Sequence, residues 1–258
     1  MATPYIAFDG VQLDDYFATW QEQANSRINA VTVPRRHGAL ITDSVVEDPR
    51  IIGVTGRMQN DDPEDLRDII DQLSELFQRR NKRLQLWSDR FITAYKSQFG
   101  FAYVPGSGMR AADFSLQFFC PDPFWYDTTP DAVDFDLAQT DLALDITNNK
   151  YRREITVTND GDVYVYPTIT VTPGGTPLTT IVARNITSGR MFTYLGTVAV
   201  GTALVVNMAA FTVENNGIED LQNFSNSDFW ALQPGDNVIQ IEGTAPANYD
   251  FAFTKRFP

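Results

Sequence analysis

Residues 113–128, DFSLQFFCPDPFWYDT, set the strongest limit on how this chain can fold. Phe114, Leu116 and Phe118 alternate with Ser115 and Gln117, so an extended backbone places three large apolar groups on one face and leaves the other polar. Cys120, Pro121, Asp122 and Pro123 then end the strand, because proline cannot donate to a sheet ladder and holds the residue before it extended. Phe124, Trp125 and Tyr126 follow at once. Such a sequence predicts a packed corner, where one domain closes and the next begins. The expected division is residues 1–130 and 131–258.

Before the corner, the pattern predicts several strands and one helix. Asp9-Gly10 between two apolar runs is a hairpin signal. Residues 28–33 and 50–57 read as strands, with a basic turn at Arg35-Arg36-His37-Gly38 between them. Leu66, Ile69, Ile70, Leu73, Leu76 and Phe77 follow helical spacing, which predicts a helix over residues 63–80 with one face in a core. Asp62 is placed to cap it, Pro63 suits the first turn, and Glu64 and Asp65 complement the helix dipole. Arg79, Arg80, Lys82 and Arg83 are expected to complement its other end. Residues 84–87 and 91–95 read as a hairpin about Ser88-Asp89.

After the corner, residues 127–145 are rich in Asp and Thr with Val133, Phe135 and Leu137 alternating, which predicts an acidic linker leading into a strand, and from Glu154 onward the pattern is all β. Ile155 and Val157 alternate with threonines, Asn159-Asp160-Gly161-Asp162 turns, and Val163, Val165, Ile169 and Val171 share a face opposite Tyr164 and Tyr166. Pro167 within that run predicts an edge strand or a bulge. Short strands separated by turn residues continue to the end, the pattern of a sandwich or jelly roll. The fold class expected is therefore mainly β: an N-terminal sandwich or split-barrel-like domain with one α-helix, then a C-terminal β-sandwich of the jelly-roll or carbohydrate-module kind.

Composition excludes several functions. A single cysteine, Cys120, rules out a disulfide framework and a multi-cysteine zinc site. The net charge of −13 is uneven: 13 basic against 16 acidic residues up to Cys120, then 7 against 17. Neither half has the clustered basic surface that duplex binding through phosphates requires. His37 is the only histidine and sits in a turn, no G-x-S-x-G or P-loop is present, and no catalytic, metal or cofactor site is expected. The first twenty residues lack the basic and apolar regions of a secretion signal, and the most apolar run, residues 198–206, is too short to span a bilayer. No membrane association is expected.

The motifs at the corner and elsewhere resemble the distal tail proteins of long-tailed bacteriophages. The corner is similar to that family's F-x-C-x-D-P-F/Y-x-Y, residues 33–38 to its I-P-x-R-x-G turn, and residues 155–171 to its I-x-N-x-G…P-x-I-x-V segment. Residues 229–239, FWALQPGDNVI, resemble its F-x-x-L-x-P-G-x-N-x-I, in which Pro234 and Gly235 suit the centre of a type II turn. The resemblance implies a non-enzymatic virion protein of the tail tip, made in the bacterial cytoplasm. It implies a homo-hexameric ring of N-terminal domains at the end of the tail tube, with C-terminal domains projecting outward. The partners implied are the tail tube protein, a tail-associated hub protein and receptor-binding or side-fibre proteins. DNA passes through such a ring unbound, so its lumen should lack unpaired arginine. Arg35, Arg36, Arg79 and Arg80 are the expected ring contacts. The competing expectation is a carbohydrate-binding sandwich in which Trp125, Tyr164, Tyr166 or Trp230 stack on sugar rings.

Overall fold

The computed structural model describes residues 6–13, 19–23, 26–32, 39–136, 143–145, 150–225 and 228–258. Compact units of Met1–Thr128 and Thr129–Pro258 make up the chain. In the first are strands β1 (Ala7–Phe8), β2 (Val11–Gln12), β3 (Thr19–Gln23), β4 (Ser26–Thr32), β5 (Ala39–Glu47) and β6 (Arg50–Gln59). Helix α1 (Pro63–Leu76) follows, then β7 (Lys82–Gln85), β8 (Arg90–Tyr103), β9 (Ala111–Cys120) and β10 (Trp125–Asp127). The main sheet runs β2-β1-β7-β8-β9-β6-β3, β10 pairs with the start of β8, and β4 and β5 form a separate ladder. The long strand β8 pairs first with β7 and β10 and later with β9, bending at a bulge between Lys96 and Gln98. The Ser97 hydroxyl donates to the Gln117 carbonyl at 3.0 Å there.

Local chemistry accounts for these elements. Asp9 and Gly10 hold φ of 52° and 80°, the left-handed pair that a two-residue hairpin turn requires. Asp62 caps α1, its carboxylate accepting from the Glu64 N–H at 2.8 Å, with Pro63 in the first turn. Leu66, Ile70, Leu73 and Leu76 are buried. Phe77 packs on Phe8, Phe99 and Phe118, with centroids 5.9, 5.1 and 6.2 Å away, and so seats the helix on the sheet. The helix ends at Leu76, earlier than its periodicity predicts. Gln78 and Arg79 donate to Glu75 and Leu76, a tightened turn, and Asn81 at φ 56° redirects the chain into β7. The basic residues 79–83 thus lie beyond the last helical turn.

The predicted aromatic corner is packed. Trp125 is 2% exposed and stands edge-on to Trp87, which is edge-on to Trp20. Arg50 is buried against it and ion-paired with Glu22. Cys120 is buried beside Arg50, and desolvation pushes its thiol up to about 12.

The second unit is a sandwich of two six-stranded antiparallel sheets. Its strands are β11 (Asp131–Asp136), β12 (Ala143–Asp145), β13 (Lys150–Asn159), β14 (Thr168–Pro173), β15 (Ile181–Asn185) and β16 (Arg190–Tyr194). After them come β17 (Leu204–Asn207), β18 (Thr212–Asn215), β19 (Ile218–Glu219), β20 (Phe224–Ser225), β21 (Gly235–Gly243) and β22 (Ala247–Phe253). One sheet runs β11-β22-β14-β17-β18-β19 and the other β12-β13-β21-β15-β16-β20. Val157, Ile169, Val171, Phe192, Tyr194, Ile239, Ile241, Tyr249 and Phe251 form the core between them. Val133 and Phe135, whose alternation predicts a strand after the acidic linker, lie in β11, which pairs with β22 along its whole length. One expectation is corrected. Pro167 stands just before β14, which is an interior strand between β22 and β17, so its missing N–H interrupts no ladder.

Candidate functional site

The expected ring contacts divide between described and undescribed parts of the chain. Arg35 and Arg36, with the whole turn of residues 33–38, lie outside the described residues. Arg79 donates to Asp9 Oδ2 at 2.7 Å, and Lys82 Nζ lies 3.3 Å from the same carboxylate. The Arg79 hydrogen bond holds the Asp9 carboxyl below its ordinary value. Arg79 therefore ties the residues after α1 to the β1–β2 hairpin, a role its sequence position does not disclose. Arg80 is exposed and has no ion-pair partner among the described residues. With Phe77, Tyr95 and Lys96 it borders a concavity of about 480 Å³.

Two other features mark the surface of the N-terminal unit. Glu64, Asp68, Asp71 and Glu75 are exposed along α1 at spacings of three and four, an acidic stripe opposite its buried face. On the main sheet, Phe118 meets the helix side, while Phe119 and its cross-strand neighbour Ile51 are exposed on the other face. Arg57 and Asp113 bond across the same two strands at 2.6 Å, which holds Asp113 low and Arg57 high in proton affinity.

The aromatic residues named for sugar stacking separate into two pairs. Trp125 and Trp230 are buried in the cores of their units, and this overturns their assignment as stacking platforms. Tyr164 and Tyr166 are 54% and 45% exposed. They flank Val165, which points into the core and bridges Leu232 through backbone bonds of 3.1 and 2.7 Å. Both rings line a concavity of about 440 Å³ with Ser188, Arg190, Phe229 and Gln233, over Trp230.

Three fully buried asparagines hold the walls of this concavity. Asn159 donates to the Val163 carbonyl at 3.0 Å and accepts from the Gly161 N–H. Asn185 accepts from the Ser188 N–H at 3.1 Å and donates to the Ala231 carbonyl. Asn237 accepts from the Gln233 N–H at 2.9 Å and returns a bond to the Gln233 carbonyl at 2.8 Å. Phe229 is fixed by Phe211 and Phe224, at 5.2 and 4.8 Å. Ser188, Arg190, Phe229 and Gln233 carry no sequence signal for such a role. The asparagines do lie in turn-rich stretches, and Asn159 sits in the predicted Asn-Asp-Gly turn.

Among the described residues, no helix is long and apolar enough to cross a membrane, and no cluster of three or more metal-ligating side chains is present.

Residues 12–159 match the family described as phage tail protein RIFT-related domain, and residues 160–257 match siphovirus-type tail component, C-terminal domain. The fold is similar to the crystal structure of SPP1 Dit (gp 19.1), described as a paradigm of hub adsorption apparatus in Gram-positive-infecting phages. That match has a TM-score of 0.76 at 19% identity and covers 98% of this chain and 99% of the other. A chain from the virion of a native gene transfer agent particle aligns with 49% of this chain and 96% of its own, at 13% identity and a TM-score of 0.33. No protein with a curated description matches the sequence.

Proposed function

Because the chain belongs to the siphophage distal tail protein family, a component of the phage tail in the virion, we propose that it forms a homo-hexameric ring at the distal end of the tail tube. The N-terminal unit makes the ring in this reading, and the C-terminal sandwich projects outward to hold receptor-binding or side-fibre proteins. The tail tube protein and a tail-associated hub protein are the axial partners. The role is structural rather than catalytic. The observation that carries the reading is the end-to-end match of both units with the fold of a protein described as a hub.

A closed ring of identical subunits needs two different patches that meet head to tail. The N-terminal unit has a basic corner at Arg80 and Lys96 and an acidic stripe at Glu64, Asp68, Asp71 and Glu75. Patches of opposite sign favour one orientation of docking and disfavour its reverse. The exposed apolar pair Ile51 and Phe119 offers dry contact area that charge alone does not. Arg35, Arg36 and Arg79 remain candidates for the same contact. Arg79 enters it while neutralised by Asp9, so Arg80 is the stronger charge donor of the two.

The experiment is a mass measurement of the purified chain in solution, alone and with its tail partners, across concentration. A hexamer is expected. A chain that stays monomeric under every one of those conditions defeats the ring.

A further inference from the structure

The concavity of the C-terminal sandwich has an unusual combination of features. Tyr164 and Tyr166 lie either side of the inward Val165, so both rings take the same, outward face and line one concavity. Large aromatic groups left this exposed are not contributing their apolar faces to the core. Arg190, Gln233 and Ser188 line the same concavity, on segments far from the tyrosines in the chain. No ion pair among the described residues occupies Arg190.

We propose that this concavity binds a saccharide, with Tyr164 and Tyr166 as stacking platforms and Arg190 and Gln233 as the hydroxyl-recognising groups. A sugar ring has an apolar C–H face edged by hydroxyls, and each part finds its complement here. The C–H face lies on an aromatic ring, and hydroxyls accept from guanidinium or exchange donor and acceptor with an amide. The volume of about 440 Å³ falls within the roughly 300–1,000 Å³ typical of small-ligand sites. A protein partner fits less well, because protein interfaces are broader and present a continuous apolar centre, whereas these tyrosines are edged by polar groups in a recess.

Preorganisation supports the same conclusion. Asn159 fixes the turn that leads to Tyr164, Asn185 fixes Ser188, and Asn237 fixes Gln233, while Phe211 and Phe224 fix Phe229. A site whose walls are held by buried hydrogen bonds loses little entropy on binding a weakly interacting ligand.

The test uses the full chain and does not depend on ring formation, so its outcome is separate from that of the ring measurement. Chitotriose, maltotriose, lactose and rhamnose are titrated by saturation-transfer NMR and calorimetry, with inorganic phosphate as the anion control. At least one sugar should bind with a dissociation constant on the order of 1 mM or tighter. Tyr164→Ala and Tyr166→Ala should each weaken it roughly 3- to 10-fold at an unchanged melting temperature, while Tyr166→Phe, which keeps the ring, should not. Arg190→Ala should weaken it as well. Silence from all four sugars at concentrations on the order of 10 mM overturns the proposal. So does sugar binding indifferent to both tyrosine variants, or full competition by phosphate. Failure of every sugar, together with capture of a purified tail protein that the tyrosine variants abolish, would reassign the concavity to protein docking.

Discussion

The indole N–H of Trp125 donates to Glu22 Oε1 at 3.3 Å, joining residues 103 positions apart. The same carboxylate takes the guanidinium of Arg50, which is 6% exposed and has lost much of its hydration. Desolvation lowers the Arg50 proton affinity, so its charge depends on Glu22 for compensation. Glu22→Ala should destabilise the N-terminal unit by about 3 kcal/mol, because removing one partner strands a buried charge. Glu22→Gln, which keeps an acceptor for Trp125, should cost less. Urea unfolding followed by tryptophan fluorescence reads both, and equal midpoints for Glu22→Ala and wild type would contradict the account.

Helix α1 should respond in proportion to burial. Leu66 is fully buried, and Leu66→Ala should cost about 2–5 kcal/mol through lost burial and the cavity left behind. Asp62→Ala removes a cap at the exposed start of the same helix and should cost about 1 kcal/mol. The order of the two melting temperatures checks the assignment. An Asp62→Ala variant less stable than Leu66→Ala would mean that the helix is not held by its apolar face.

The C-terminal unit should lose stability at both ends of the pH scale through one pair of residues, in which the Tyr194 hydroxyl donates to Asp220 Oδ2 at 2.6 Å. Burial, then the bond to Asp220, pushes the phenol up from 10.0 to about 12. The hydrogen bond from Tyr194, then that from Asn223, holds the Asp220 carboxyl below its ordinary 3.8. A phenol kept protonated by folding contributes stability that is complete below pH 10.0 and is lost as pH rises toward 12. A carboxylate kept ionised contributes stability that is present above pH 3.8 and is lost as pH falls through its folded value. Tyr194→Phe should flatten part of the alkaline decline, with Tyr249, also displaced upward by burial, keeping its own share. Melting temperatures across pH decide this; an alkaline decline identical to wild type would exclude Tyr194 as its source.

Ring assembly should follow charge. Arg80→Glu, and separately Asp68→Lys with Asp71→Lys, should weaken the hexamer while leaving the folded chain intact, and high salt should weaken the wild type in the same direction. Arg35→Glu with Arg36→Glu tests the other two arginines proposed for the same contact. Sedimentation across salt concentrations provides the measurement, and a wild-type ring equally stable at low and high salt would remove charge as its cause.

What the sequence determined by itself is local. The left-handed hairpin at Asp9-Gly10, the capped helix with Leu66, Ile70, Leu73 and Leu76 inward, and the period-2 strands of the second half all follow from torsional preference and alternation. Gly235 likewise adopts φ +86°, which the predicted type II turn requires. These features depend on residues within a few positions of one another, so the backbone expresses them wherever the chain is placed.

Tertiary structure alone decided which polar and aromatic groups are available. Trp125 and Trp230 are core residues while Tyr164 and Tyr166 are not, though all four lie in stretches rich in aromatic residues. Arg79 was legible as a cation but not as the partner of Asp9, 70 positions earlier. The concavity gathers residues 164–166, 188–190 and 229–233 only because the strands that follow or precede them meet in one sandwich. Periodicity reports which side of its own strand a residue takes. Whether that side meets solvent, a charge or another sheet depends on strand order and register, which long-range backbone pairing sets and no local window contains.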